Sequence, residues 1–142
     1  MEMVSKRIVS GGATEGYELC LANGQVVFQM SATLSSPLSA GWVGPDLRDT
    51  HWHHVAVTVQ RNSTTGGNIY VDGQVICNFN PTSQSGSLST SAPLLIGMHP
   101  DPSLDCNFRG GIDELAMYGR ALTAAEIGAI YNTGSKGKCW PE

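Results

Sequence analysis

Apolar and polar positions alternate with period two along much of this chain, and turn residues interrupt the alternation at short intervals. Tyr17-Glu18-Leu19-Cys20-Leu21-Ala22 and Gln25-Val26-Val27-Phe28-Gln29-Met30 flank Asn23-Gly24. Asn-Gly between two alternating runs predicts a hairpin, because both turn positions need positive φ. A two-residue turn pairs Ala22 with Gln25, and so Leu21 with Val26, Leu19 with Phe28 and Tyr17 with Met30. Those side chains fall on one apolar face, while Glu18, Cys20, Val27 and Gln29 make a mixed face opposite. Asp72-Gly73 predicts a second hairpin, joining Asn68-Ile69-Tyr70-Val71 to Gln74-Val75-Ile76-Cys77.

Between the hairpins, residues 52–61 predict a long strand. Val55, Val57 and Val59 face one way, and Trp52, His54, Ala56, Thr58 and Gln60 the other. Residues 80–92 are rich in Ser, Thr, Gly and Pro and predict a surface loop. Short strands are expected at residues 93–98 and 108–118, the second opening near Gly110-Gly111. One helix is expected near the C-terminus. Thr123 is its N-cap, Glu126 completes a capping box, and Leu122 and Ile127 staple its start. Ile127, Ile130 and Tyr131 form its buried stripe, and Gly134 stops it. Many strands with one late helix predict an all-β antiparallel jelly-roll sandwich with a short C-terminal helix.

Composition narrows the function classes. The chain has 142 residues, enough for one domain; 41% are hydrophobic, so a core can form. Only 14% are charged and the net charge is −4 without a basic run, which argues against nucleic acid and anionic membranes as partners. No apolar stretch reaches the roughly 18 residues of a membrane helix, and no apolar leader opens the chain. The four cysteines, Cys20, Cys77, Cys106 and Cys139, include no C-x-x-C pair. The favoured pairing is Cys106 with Cys139, tethering the tail for roughly 3–4 kcal/mol if formed. The alternative is four reduced thiols. Asn62-Ser63-Thr64 matches a glycosylation sequon, a triplet that also arises by chance.

An ordered series of segments carries a resemblance: His51-Trp52-His53-His54-Val55-Ala56-Val57-Thr58, Ile69-Tyr70-Val71-Asp72-Gly73, Leu95-Ile96-Gly97, Phe108-Arg109-Gly110-Gly111-Ile112-Asp113-Glu114-Leu115, and Tyr118-Gly119-Arg120-Ala121-Leu122-Thr123-Ala124-Ala125-Glu126-Ile127. From about Ile8 to Cys139 the chain resembles the laminin-G-like, pentraxin-like branch of the concanavalin A-like lectins and glucanases. The resemblance implies one domain over residues 1–142, with Trp52 covering the sandwich edge and Arg120 pairing with Asp113 or Glu114. Members usually carry further strands before the segment where this chain begins; Ile8-Val9-Ser10 reads as an internal strand. Either the first strands are missing or a second copy covers the open sheet, so a homodimer is expected.

The resemblance also implies calcium as an optional cofactor, held by loop oxygens. Two acidic clusters are candidates, Asp46 with Asp49, and Asp101 with Asp105 and Asn107. The plainer alternative is solvated turns whose Asp side chains cap local backbone. His51, His53 and His54 are read as locally hydrogen-bonded rather than metal-ligating, because His54 opposes the other two on a strand. Carbohydrate recognition needs an aromatic platform and polar groups. The candidates are Trp42, Tyr17, Tyr70 and Trp140, with Asn107 among the polar partners. Trp42, between Gly41 and Gly44-Pro45, is the aromatic with the best chance of exposure; a buried core Trp is the alternative.

Catalysis finds little support in the residue pattern. The glutamates form no E-x-D-x-E series, and Asp113 and Glu114 are adjacent, hence on opposite faces of a strand. That arrangement fails the two-carboxylate test. The expected function is therefore a non-catalytic module of a secreted or cell-surface protein, binding carbohydrate or an extracellular protein. The alternatives are a structural or assembly module of a larger secreted protein, and a glycoside hydrolase on the same fold.

Overall fold

The computed structural model describes residues 1–35 and 37–134. Eight strands precede one helix: β1 (Glu2–Ser10), β2 (Ala13–Ala22), β3 (Gln25–Ser35), β4 (Leu38–Gly41), β5 (Val55–Val59), β6 (Gly67–Val71), β7 (Gln74–Phe79), β8 (Leu95–Ile96) and α1 (Ala124–Thr133). They form a five-stranded sheet ordered β4-β3-β2-β1-β8 and a three-stranded sheet ordered β5-β6-β7. Every strand pairing is antiparallel. The protein is a two-sheet β-sandwich with a C-terminal helix on its smaller sheet.

Turn chemistry sets the register. Asn23 and Gly24 have φ of 53° and 85°, Asp72 and Gly73 of 50° and 76°. These left-handed pairs match the twist of the flanking strands. Leu21 faces Val26, Leu19 faces Phe28 and Tyr17 faces Met30, the register expected from the sequence. In the second hairpin Val71 faces Gln74, and a bulge between Ile69 and Tyr70 shifts the register further along.

Alternation then builds two cores from opposite faces of the small sheet. Leu21, Val26, Phe28, Met30 and Ala40 pack on Ile69 and Val71 between the sheets, with Val55, Val57 and Val59 beside them. On the outer face of the small sheet, Tyr70 and Ala56 pack beneath Leu122, Ile127 and Ile130. The helix begins at Thr123, whose hydroxyl accepts the Glu126 N–H at 3.2 Å while Glu126 accepts the Thr123 N–H at 2.8 Å. Gly134 caps its end.

Several expectations change. The strand expected at residues 52–61 is confined to Val55–Val59, and that at 93–98 to Leu95–Ile96. Residues 108–118 form no strand; Glu114 has φ of 50° and its N–H is taken by the Asp113 carboxylate at 2.8 Å, which turns the backbone away from a ladder. Arg120 does not pair with Asp113 or Glu114. Its guanidinium forks onto Glu126, at 2.6 and 2.9 Å, and so braces the helix start. Tyr131 is not in the buried stripe: its ring is exposed and rests on Gly73, 6.1 Å from the His54 ring. Cys139 and Trp140 lie outside the described residues.

The loop of residues 80–92 is strapped down rather than free. Arg61 donates to the carbonyls of Gln84 and Gly86, Gln84 accepts from the Ala32 N–H at 2.8 Å, and Lys6 donates to the Ala92 carbonyl at 2.7 Å. Pro81, within the loop, is fully buried.

Candidate functional site

Among the described residues, the loop of residues 42–54, between β4 and β5, presents the most exposed aromatic surface. Trp42 leaves β4 with φ of 58°, its N–H still bonded to the Val26 carbonyl at 3.2 Å. That left-handed residue turns the indole outward, to 47% exposure. Trp52, at the other end of the loop, is 72% exposed. It leans on Gly111 so closely that a Cβ there would meet Cη2 at 2.6 Å. It touches the 109–122 segment at Gly111.

Ion pairs hold this loop in shape. The Asp46 carboxylate takes the Arg48 guanidinium at 2.5 and 2.8 Å and the Arg48 N–H at 3.0 Å, and sits over Gly24. Those bonds hold its carboxyl below the usual carboxylate range. Asp49 accepts the His51 N–H at 2.9 Å and faces His53 Nε2 at 3.0 Å. The two bonds lower its pKa to about 2. His53 Nδ1 lies 2.8 Å from Asp72 Oδ2, so its imidazole stands between two carboxylates and its pKa rises. His54, more enclosed, is pushed the other way by burial.

Each remaining candidate has a defined place. Asp101 accepts the Ser103 N–H and hydroxyl at 2.9 and 2.6 Å, which lowers its pKa. Asp105 pairs with Arg109 at 2.6 Å. Asn107 accepts the His99 N–H at 3.1 Å. Tyr17 is half-buried against the main core. Tyr70 is a correction: at 2% exposure beneath the helix, its ring cannot meet a ligand.

The two acidic pairs do not fit a calcium ion as arranged. Calcium takes six to eight oxygens. Here each carboxylate is engaged by an arginine, a histidine or a serine. Among the described residues, no three acid, His or Cys donors converge at either pair.

A second constellation, of which the residue pattern showed only the β2–β3 part, lies on the face of the large sheet turned away from the small one. Glu2, Ser5, Arg7, Glu18, Cys20, Val27 and Gln29 share it by register. The mixed face expected from the first hairpin is therefore enclosed, with Glu2 at 3%, Glu18 at 4% and Ser5 at 0% exposure. Residues 97–108 return across this end of β1: Gly97 bonds Met3, Cys106 bonds Glu2, and His99 Nε2 lies 3.0 Å from Arg7 Nη2. Arg7 lies 2.5 Å from Glu18 and 3.9 Å from Glu2. Burial and the neighbouring Glu18 raise the Glu2 pKa to about 8, and burial raises Cys20 to about 12. The two carboxyls meet one another, with a side-chain hydrogen bond between Glu2 and Glu18, rather than standing the roughly 5 Å apart of a retaining glycosidase pair. The shallow depression at its margin, lined by Arg7, Thr14, Glu18, Gln29 and Pro37, has no interior room for a ligand. A cross-strand signal 16 residues apart was open to view only through the β1–β2 register.

Over residues 3–128 the sequence matches the family Laminin_G_3, described as the Concanavalin A-like lectin/glucanases superfamily. The chain belongs to that family. No curated protein compared with it matches. A solved S-layer domain-containing protein from Clostridium thermocellum is similar at 25% identity, with a TM-score of 0.48. The match covers 92% of this chain and 63% of that one, so this laminin-G-like chain spans less than two thirds of its neighbour's length. Among the described residues, no helix is long and apolar enough to cross a membrane.

Proposed function

We propose that this laminin-G-like domain is a non-catalytic carbohydrate-binding module of a secreted or cell-surface protein, with the 42–54 loop as its contact surface. One observation carries the reading: two tryptophans, 47% and 72% exposed, project from a loop already fixed by the Asp46–Arg48 and Asp49–His53–Asp72 contacts. Exposed indoles stack on sugar rings at little entropic cost when their backbone is held in advance. The exposed side chains of Arg48 and His51 lie on the same loop and offer hydrogen-bonding groups. Calcium has no part in this reading. The enclosed Glu2–Glu18 pair gives a sugar no access, which supports binding without hydrolysis.

Assembly is the second reading, favoured by a separate surface. Ile96, Met98, Ile112, Leu115 and Met117 are between 37% and 58% exposed, and residues 109–122 make no backbone–backbone bonds among the described residues. Such a surface fits an extracellular protein or a second copy.

Electrophoresis through gels containing soluble polysaccharides tests the first reading. Retardation that disappears in Trp52→Ala, with an unchanged melting curve, is the expected result. Equal retardation of both proteins would remove Trp52 from the site.

A further inference from the structure

The carbohydrate reading makes no use of the enclosed polar face, which carries an inference of its own. We propose that Glu2, Glu18 and Cys20 form a binding site for one thiophilic divalent cation, with Zn²⁺ the best fit among biological ions.

Geometry comes first. One carboxylate oxygen from each glutamate and the Cys20 Sγ all lie within 4.8 Å of one another. Zinc binds carboxylate oxygen at about 2.0–2.2 Å and thiolate at about 2.3 Å, so a shift of about an ångström brings the three donors onto one ion. Glu2 and Cys20 face one another across the β1–β2 ladder, and Glu18 lies two residues from Cys20 on the same face of β2. The donors are therefore mounted on two hydrogen-bonded strands rather than on loops.

A second observation points to a missing partner. Glu2 Oε1 is buried with no donor in hydrogen-bonding geometry, in a residue only 3% exposed; its neighbours are Ser5 and the Glu18 carboxyl, which as a second carboxylate offers it no hydrogen. Orphaned buried oxygens are costly. A cation beside Glu2 would satisfy the carboxylate, and Ser5 or a water would complete four-coordination.

A divalent cation adds positive charge where two carboxylates are enclosed together; Arg7 lies 2.5 Å from Glu18 and 3.9 Å from Glu2, and the Met1 ammonium sits on the Leu21 carbonyl next to Cys20. The sulfur donor and the small donor number select zinc over calcium or magnesium.

Titration of the chelator-treated, reduced protein with Co²⁺ as a spectroscopic stand-in tests this. One equivalent should produce a sulfur-to-cobalt charge-transfer absorption and be displaced by Zn²⁺. The absorption should vanish in Cys20→Ser and persist in Cys77→Ser. Glu18→Gln keeps the thiol and the side-chain shape, and should weaken Zn²⁺ binding about tenfold or more. Cobalt binding without the charge-transfer band, as surface histidines would give, overturns the proposal. So does a band that survives in Cys20→Ser, or Zn²⁺ affinity unchanged in Glu18→Gln.

Discussion

His53 Nδ1 stands 2.8 Å from Oδ2 of Asp72, and that contact ties the loop before β5 to the β6–β7 turn. Asp72 uses its other oxygen on the His54 N–H at 2.9 Å, while His53 Nε2 faces Asp49 at 3.0 Å. Both ring nitrogens can donate to carboxylates at once only as imidazolium. The raised pKa of His53 fixes the sign of the pH effect. Its stabilising contribution is complete below the ordinary histidine value of 6.5 and is lost as pH rises through the higher folded value. Thermal melting should show His53→Gln costing most near pH 6 and least near pH 9. A cost independent of pH would remove the imidazolium from the loop's support.

Glu2 acts in a neighbouring window with the same sign. Its pKa rises from 4.5 to about 8, so the folded state holds a proton that the unfolded chain releases earlier. Stability should fall as pH climbs through that interval and level off above it. In metal-free protein, Glu2→Gln keeps the shape and removes the ionisation. It should flatten this slope and stabilise the protein by an amount on the order of a few kcal/mol at pH 9. A slope unaltered by the substitution would contradict the burial of this carboxyl.

The helix hangs on its first turn. Thr123→Ala removes the hydroxyl that accepts the Glu126 N–H, and should cost about 1 kcal/mol, or about 3 °C in melting temperature. Hydrogen exchange should rise first along α1 and at Tyr70, which Ile127 and Leu122 cover. Uniform loss of protection across both sheets would contradict a separately docked helix.

Between the sheets, Met30 is 1% exposed in the main cluster. Met30→Ala should lower stability by about 2–5 kcal/mol in chemical denaturation. Less than about 1 kcal/mol would mean that the two sheets do not meet there.

What could be read from the sequence was what neighbours in the chain decide. Asn23-Gly24 fixed four cross-strand pairs at once, because a two-residue turn leaves no freedom of register. Thr123 and Glu126 announced the helix start for the same local reason. The alternation at Val55, Val57 and Val59 separated the two cores correctly. The failures depend on distance. Residues 108–118 have the composition of a strand, yet strands exist only where an edge is offered, and the turn at Glu114 and the Asp113 contact leave this one outside both sheets. Arg120 had three acids within reach along the chain, and the helix start selected Glu126. Tyr70 alternated correctly but onto the face that α1 covers. The Glu2–Arg7–Glu18–Cys20 group is assembled by pairing between β1 and β2, which no spacing rule along one strand reports.

The central claim is that the 42–54 loop grips a sugar with its tryptophans, and the indole N–H signals of the labelled protein test it most directly. Titration with oligosaccharides released from the polysaccharide that retards the protein should shift the Trp42 and Trp52 signals saturably, in the presence of chelator. Trp52→Ala should abolish the saturation without moving the signals of Ile69 or Val71. Saturable shifts that bypass both indoles, and gather instead at Ile112, Leu115 and Met117, would contradict the account and place the working surface on the 109–122 segment.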